Sequence, residues 1–205
     1  MKVLLINGSP HIKGCTARGL KEIENILIKE GIEVETIQVG ITPIRGCISC
    51  NTCAKNNKCV FDDLVNEVAL KFKEADGIVI GTPTYYAGAN GNLKSFLDRL
   101  FYSTSFSKRM KVGATIVSSR RAGSTSAFDE INKYFTISEM PIVSSSYWNE
   151  IHGFKEEDAE KDLEGLQTMR NLARNMAFLI KAINMNKKEL KDNEYGSFTS
   201  FPDGL

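Results

Sequence analysis

The sequence predicts an α/β protein with a five-stranded parallel sheet that is covered by helices on both faces. Strand-like and helix-like segments alternate five times along the 205 residues, and such alternation is typical of parallel sheets with helical connections. The run at 77–81 is wholly apolar, as expected of a strand buried on both faces. Loops rich in Gly, Ser and Thr follow the first, third and fourth strands, and right-handed crossovers bring such loops to one edge of the sheet.

The first strand and helix are the clearest elements. An apolar run at 2–7 ends in the turn cluster Asn7-Gly-Ser-Pro. The helix that follows places its apolar residues on one face: Leu20, Ile23, Ile26 and Leu27. Later strands are predicted at 33–39, 77–81, 112–117 and 141–143.

The other helices follow the same apolar periodicity. One has an imperfect stripe of Leu64, Val68, Leu70 and Phe72, with Asp62 or Asp63 as its N-cap. Three more are predicted at 93–101, 124–135 and 156–183. We expect one domain at 1–185 with a cysteine-rich loop at 43–61, and a polar C-terminal tail at 186–205.

Composition excludes several classes of function. The hydrophobic content is 42%, the charged content is 25% and the net charge is +1. No run reaches the roughly 18 apolar residues of a membrane span, and no basic block favours nucleic acid. The short N-terminal apolar run is not a signal peptide. We therefore expect a soluble, cytoplasmic protein with neither a nucleic acid nor a membrane as partner.

The loop at 8–16 has the pattern of an anion site. It joins a buried strand to a helix, whose first-turn amides and dipole attract an anion such as phosphate. Ser9 and Thr16 add hydroxyl groups, although an ordinary strand-to-helix turn would have the same pattern. Neither GxGxxG nor GxxxxGK[ST] occurs, so neither a Rossmann fingerprint nor a P-loop is supported. One ligand held by the loops 8–16, 82–92 and 118–123 is the simplest interpretation.

Longer motifs in these loops resemble the flavin-binding segments of the NADPH-dependent FMN reductase family. The motifs are Asn7-Gly-Ser-Pro, Gly14-Cys-Thr, Gly81-Thr-Pro-Thr-Tyr-Tyr86, Gly91-Asn-Leu-Lys-Ser-Phe-Leu-Asp-Arg99, Arg120-Arg-Ala-Gly123 and Met140-Pro-Ile-Val-Ser-Ser-Ser-Tyr-Trp148. The resemblance implies a flavodoxin-like three-layer sandwich, FMN as the cofactor and NAD(P)H as co-substrate. It also implies a homodimer or homotetramer.

The resemblance implies FMN contacts from all three loops. The residues concerned are Ser9, His11, Cys15, Thr16, Pro83, Thr84, Tyr85, Tyr86, Ser118, Ser119, Arg120 and Gly123. For the tyrosines the alternative is plain packing of large rings, and for Arg120 it is a solvated loop position. No catalytic side chain is expected, because the flavin carries the chemistry.

Two positions depart from the family pattern. His11 stands where Arg is usual, and Cys15 stands where Asn is usual. A neutral imidazole is a weaker phosphate partner than a guanidinium, so we expect weaker retention of FMN. Cys15 either has a lowered thiol pKa at the helix start or is simply a small residue that fits there.

The cysteines form a second motif with the spacing C-x2-C-x2-C-x5-C. Its members are Cys47, Cys50, Cys53 and Cys59. Four thiols so close in sequence fit an iron–sulfur cluster or zinc. The segment is similar to the compact cysteine motif of iron–sulfur flavoproteins, which implies a [4Fe-4S] cluster. An empty or redox-labile thiol loop and a zinc site are the alternatives.

These patterns predict an FMN-dependent oxidoreductase. Reduced by NAD(P)H, it would pass electrons to a small-molecule acceptor, such as a quinone or a flavin, or to a bound cluster. One alternative is an iron–sulfur flavoprotein that carries electrons from ferredoxin. The other is a zinc-stabilised binding module without redox turnover.

Overall fold

Strands and helices alternate along the part of the chain that the computed structural model describes, residues 1–194 and 196–197. The strands are β1 (Lys2–Asn7), β2 (Glu33–Gln38), β3 (Gly77–Tyr85), β4 (Gly88–Ala89), β5 (Val112–Ser119) and β6 (Glu150–His152). The helices are α1 (Cys15–Lys29), α2 (Cys53–Asn56), α3 (Leu64–Glu74), α4 (Gly91–Ser103), α5 (Ser124–Thr136), α6 (Glu156–Ala159) and α7 (Leu163–Asn186). No helix among the described residues is long and apolar enough to cross a membrane.

The sheet confirms the predicted fold class. Its five parallel strands lie in the order β2-β1-β3-β5-β6, and β4 pairs antiparallel with the end of β3. Asn7 on β1 lies beside Gly81 on β3, and Gly81 lies beside Ile116 on β5. The carboxyl ends of the three central strands therefore reach the same edge.

The core has one layer on each face of the sheet. Leu4 and Ile6 of β1 belong to a cluster with α3, α4 and α5. Val3 and Leu5 belong to the opposite cluster with α1 and α7. Alternate side chains of a strand point to opposite faces, so a wholly apolar strand needs cover on both. The fold is a three-layer sandwich.

The fifth strand was predicted in the wrong place. Residues 141–143 contribute only an isolated bridge, in which Ile142 lies beside Gly113. The edge position next to the carboxyl end of β5 is filled instead by β6. This strand has no apolar run because only Ile151 is apolar, buried in a small cluster with Cys15. An edge strand of three residues has too short a pattern for sequence analysis to detect.

Other boundaries also differ from the prediction. The predicted helix 156–183 is two helices, because Asp162 accepts a hydrogen bond from the amide of Gly165 and begins α7 as its N-cap. Strand β3 continues beyond residue 81 into a hairpin with β4. Leu70 is 70% exposed and does not join the buried face of α3. The predicted tail falls partly on 195 and 198–205, which lie outside the described residues.

Candidate functional site

The three predicted loops meet at the carboxyl edge of the sheet. The hydroxyl groups of Thr16 and Ser118 are 2.7 Å apart and share a hydrogen bond between the first and third loops. Gly123 has a φ of +88°, and a Cβ at this position would lie 2.8 Å from the Cα of Ala87 and 3.2 Å from the Thr84 side chain. The third loop therefore touches both others.

The first loop is built around buried hydroxyl groups. Ser9 and Thr16 are 4% and 1% exposed. The Ser9 amide donates to Asn7 Oδ1 at 3.0 Å, and the His11 amide donates to Ser9 Oγ at 3.1 Å. Helix α1 begins without a side-chain cap, so its first-turn amides have no side-chain acceptor to compete with a bound anion.

Gln38 and Gly40 support this loop, and the sequence analysis missed both. Gln38 Nε2 donates to the Ser9 carbonyl at 2.6 Å, while its Oε1 accepts from Asn7 Nδ2 at 2.6 Å. A Cβ on Gly40 would lie 2.1 Å from the same Ser9 carbonyl. The loop therefore depends on close backbone approach, for which only glycine leaves room.

His11 and Cys15 differ in what they offer to a ligand. The His11 side chain is exposed. Cys15 is 7% exposed and its thiol donates to the Lys155 carbonyl at 3.2 Å. Burial, reinforced by the nearby charge of Asp158, raises the pKa of the Cys15 thiol. The alternative of a lowered pKa is wrong, because desolvation opposes ionisation more than the helix start favours it.

The second loop exposes its aromatic rings. Pro83 and Thr84 lie near the end of β3, and the Thr84 hydroxyl is buried without a hydrogen-bond partner. Tyr85 is 45% exposed and Tyr86 is fully exposed. Tyr86 also has a φ of +49°, a conformation that is uncommon outside glycine. The rings are not packed in the core, so the plain packing alternative is wrong.

The third loop combines buried hydroxyl groups with an exposed cation. Ser118 and Ser119 are 7% and 6% exposed, and the Ser119 hydroxyl has no hydrogen-bond partner. Arg120 is exposed, with its guanidinium 6.0 Å from the Phe154 ring centre. Buried hydroxyl groups are normally paired. The unpaired Thr84 and Ser119 hydroxyls therefore retain hydrogen-bonding capacity for a polar ligand at this edge.

The four clustered cysteines line a single small cavity. All four thiols are free, Cys47 and Cys50 are exposed, and Cys53 and Cys59 are half-buried. Among the described residues, no three His, Cys, Asp or Glu side chains are grouped closely enough to hold one metal ion.

Two asparagines hold the ends of the cysteine-rich loop at 43–61, called the cysteine segment below. Asn92 on α4 accepts from the Ile44 amide at 3.0 Å and donates to the carbonyls of Val39 and Thr42. Asn66 on α3 accepts from the Cys59 amide at 3.0 Å and donates to the Cys59 carbonyl at 3.1 Å. Backbone groups that would otherwise lack partners outside regular structure are thereby satisfied.

A buried ion pair joins the start of α3, directly after this segment, to α4. Arg99 is 1% exposed and forms a two-pronged pair with Asp63 at 2.7 and 2.8 Å. Asp63 also caps α3 by accepting from the Val65 amide, which confirms one of the two predicted caps. Within the segment, hydrogen bonds with Thr52 lower the pKa of the exposed Cys50 thiol.

Comparison with known proteins places this geometry in context. A family model described as NADPH-dependent FMN reductase matches residues 1–155. Iron-sulfur flavoprotein MJ1083 of Methanocaldococcus jannaschii is 36% identical over 191 residues, covering 89% of this chain and 99% of the relative. The iron-sulfur flavoprotein of Methanosarcina thermophila is 29% identical and covers 91% of this chain and 99% of the relative.

Solved structures support the fold. RosB with a bound 8-demethyl-8-formylriboflavin-5'-phosphate intermediate has a TM-score of 0.72 at 14% identity, covering 98% of this chain and 92% of that one. A flavone reductase has a TM-score of 0.67 at 19% identity, covering 90% and 64%. A flavodoxin from the domain Archaea has a TM-score of 0.58 and covers 88% of this chain and 99% of that one. The arrangement is flavodoxin-like.

Proposed function

The chain belongs to the NADPH-dependent FMN reductase family and is an FMN-dependent oxidoreductase, and from this premise we propose that it takes electrons from NAD(P)H and passes them to a four-iron cluster on the cysteine segment. A small-molecule acceptor such as a quinone or a free flavin would then receive them. The unpaired buried hydroxyls of Thr84 and Ser119 are the observation that supports FMN at this edge. The relatives' shared name supports the cluster.

The first loop would hold the FMN phosphate. Ser9 and Thr16 offer hydroxyl groups, and the uncapped first turn of α1 offers amides and the positive end of its dipole. His11 and Cys15 would contribute through the backbone, since the His11 ring is exposed and the Cys15 thiol bonds to Lys155.

The other two loops would hold the flavin ring. Pro83 and Thr84 lie near the end of β3, Thr84 would donate a hydrogen bond, and Tyr85 and Tyr86 present aromatic faces. In the third loop, Ser118 and Ser119 offer hydroxyls, Arg120 a positive charge and Gly123 a close approach. FMN, when bound, accepts two electrons as a hydride from NAD(P)H and returns them singly or in pairs. A cation at the ring edge favours the reduced, anionic form.

Four thiolates would hold the cluster: Cys47, Cys50, Cys53 and Cys59 line one cavity. The test is anaerobic purification followed by analysis of FMN, iron, sulfide and zinc. We expect about one FMN and four irons per chain, and loss of iron without loss of FMN in Cys53→Ser. Cys15→Ser is the matched control, because it removes a thiol outside the motif and should keep its iron. Stoichiometric zinc without flavin would contradict the proposal.

A carrier fed by ferredoxin is the second candidate function. Cys47 and Cys50 are exposed, so a cluster on this segment would lie at the surface, where a protein donor could reach it. The two candidates differ in the donor. Anaerobic reduction of bound FMN by NADPH or NADH, followed by absorbance, supports the reductase, whereas reduction by ferredoxin alone supports the carrier.

We also propose a homodimer or homotetramer. Tyr147 and Trp148 stack edge to face with ring centres 5.0 Å apart, yet both are more than half exposed. Large aromatic rings exposed side by side at the surface are typical of interfaces. Light scattering coupled to size-exclusion chromatography tests this, and a monomer at micromolar concentration would contradict it.

A further inference from the structure

Arg99 is the most fully buried charged residue near the cysteine segment. It lies on α4, the helix that follows the second loop, and its side chain is 1% exposed. Its terminal nitrogens donate to both carboxylate oxygens of Asp63, to the Arg45 carbonyl at 3.1 Å and to the Phe61 carbonyl at 3.4 Å. The guanidinium also lies 5.0 Å from the Phe61 ring centre.

The remaining N–H group points at a cysteine. Arg99 Nε donates to Cys59 Sγ at 3.2 Å. A guanidinium has five N–H groups in one rigid plane, and here the other four are engaged by Asp63, Arg45 and Phe61. The Nε–H group is therefore fixed in direction, because turning it away from Cys59 would break the other contacts.

We propose that Arg99 is a positioning residue: it holds Cys59 in place and raises the reduction potential of the cluster that Cys59 would ligate. The inference rests on the proposed function, in which Cys59 is one of four ligands. Hydrogen bonds to ligand sulfurs and nearby charge are among the factors that set the potentials of iron–sulfur clusters. Reduction adds one electron, which NAD(P)H supplies through FMN in the proposed function, and a buried cation stabilises that added negative charge.

Lysine could not replace this arrangement. Its single ammonium group has three donors on a flexible stem, and the carboxylate of Asp63 is the strongest acceptor within reach. The ammonium would pair with Asp63 and leave the Cys59 sulfur without its donor. Arg99→Lys thus retains the charge and removes the directed hydrogen bond, whereas Arg99→Gln removes both.

The experiment compares cluster potentials in anaerobically purified protein with FMN and iron bound. Potentials are measured by redox titration followed by electron paramagnetic resonance. We expect a more negative cluster potential in Arg99→Gln, a smaller shift in the same direction in Arg99→Lys, and altered resonance line shapes in both. Lys94→Gln is the matched control: it removes one positive charge from the same helix, but Lys94 pairs with Glu130 on α5. Its cluster potential should equal that of the original protein.

Each outcome decides the matter. If the original protein binds FMN but no iron, the proposed cluster fails and this inference fails with it. If the variants bind four irons at an unchanged potential, Arg99 only stabilises the fold and the inference alone is overturned. If Arg99→Gln does not fold, the comparison of Arg99→Lys with Lys94→Gln decides in the same way. Thermal unfolding of each variant separates loss of structure from a change in potential.

Discussion

The carboxyl edge of the sheet and the cysteine segment maintain their shapes in different ways. At the edge, short loops leave parallel strands, and their positions follow from the register of β1, β3 and β5. The cysteine segment has little regular structure, with only the four-residue helix α2 inside it. It depends on side chains of α3 and α4: Asn66, Asn92 and Arg99. The edge is thus a property of the fold, whereas the cysteine segment depends on individual side chains.

Cysteine reactivity should show the largest difference between the two regions. Cys15 at the edge is buried with a raised pKa, whereas Cys50 is exposed with a pKa lowered by its hydrogen bonds with Thr52. The thiolate is the reactive form, and a buried thiol reacts only after local opening. In iron-free protein at pH 7.5, we expect iodoacetamide to modify Cys50 on the order of a thousandfold faster than Cys15.

Mass spectrometry of digested samples taken over time measures both rates in one reaction. Cys15→Ser should leave the fast phase unchanged, and Cys50→Ser should remove its contribution. Equal rates for the two thiols would show that the edge is as open to reagents as the cysteine segment.

Removing the buried ion pair should have the next largest effect. Asp63→Ala leaves the Arg99 guanidinium buried without its carboxylate and removes the cap of α3. Breaking one side of such a pair is expected to cost about 3 kcal/mol in the free energy of unfolding. Urea unfolding followed by circular dichroism measures this change.

Lys21→Ala is the control for this substitution. It breaks a surface pair with Glu24 on α1, for which a change below about 1 kcal/mol is expected. A similar small change in Asp63→Ala would mean that the cysteine segment does not depend on its ion pair.

Gly40→Ala tests the edge by steric means. The added methyl would overlap the Ser9 carbonyl, 2.1 Å from the ideal Cβ position. The first loop must then move, and we expect FMN affinity to fall about tenfold, equivalent to about 1.4 kcal/mol. Fluorescence titration of flavin-free protein measures the dissociation constant. Gly91→Ala is the control, because its Cβ meets no atom within 4 Å, and unchanged affinity in both variants would contradict the role of Gly40.

The central strands of the sheet were predicted better than its edge strand and the helix boundaries. Mainly apolar runs located β1, β3 and β5, because strands buried on both faces have nearly continuous hydrophobic patterns. The edge strand β6 was missed, since its only apolar residue is Ile151. The break between α6 and α7 was missed because Asp162, polar like many exposed helical residues, acts as a cap.

In the candidate site, too, local sequence motifs were predicted and contacts between distant residues were missed. The three loops and the four cysteines were predicted, because motifs and spacing are local in sequence. Gly40 was not predicted, since its importance comes from the Ser9 carbonyl 2.1 Å from a potential Cβ, a contact between distant residues. Arg99 was noted only as the end of a motif. Its link to Cys59 spans 40 residues, and no local pattern identifies such a partner.

Tyr102→Phe should have the smallest effect on stability and iron content. Compared with a substitution at the end of the cysteine segment, it tests which contacts hold that segment in place. The Tyr102 hydroxyl donates to Asn51 Oδ1 at 3.4 Å in an exposed position between Cys50 and Cys53. An exposed hydrogen bond of this length competes with water, so its loss should lower the free energy of unfolding by less than about 0.5 kcal/mol. The iron content should not change.

Asn66→Ala provides the contrast, because Asn66 makes three hydrogen bonds to the backbone at the end of the segment. We expect its loss to reduce iron retention during dialysis, measured against Tyr102→Phe under the same conditions. If the two variants retain iron equally, the ends of the segment matter no more than its middle, and the cysteines themselves determine its shape.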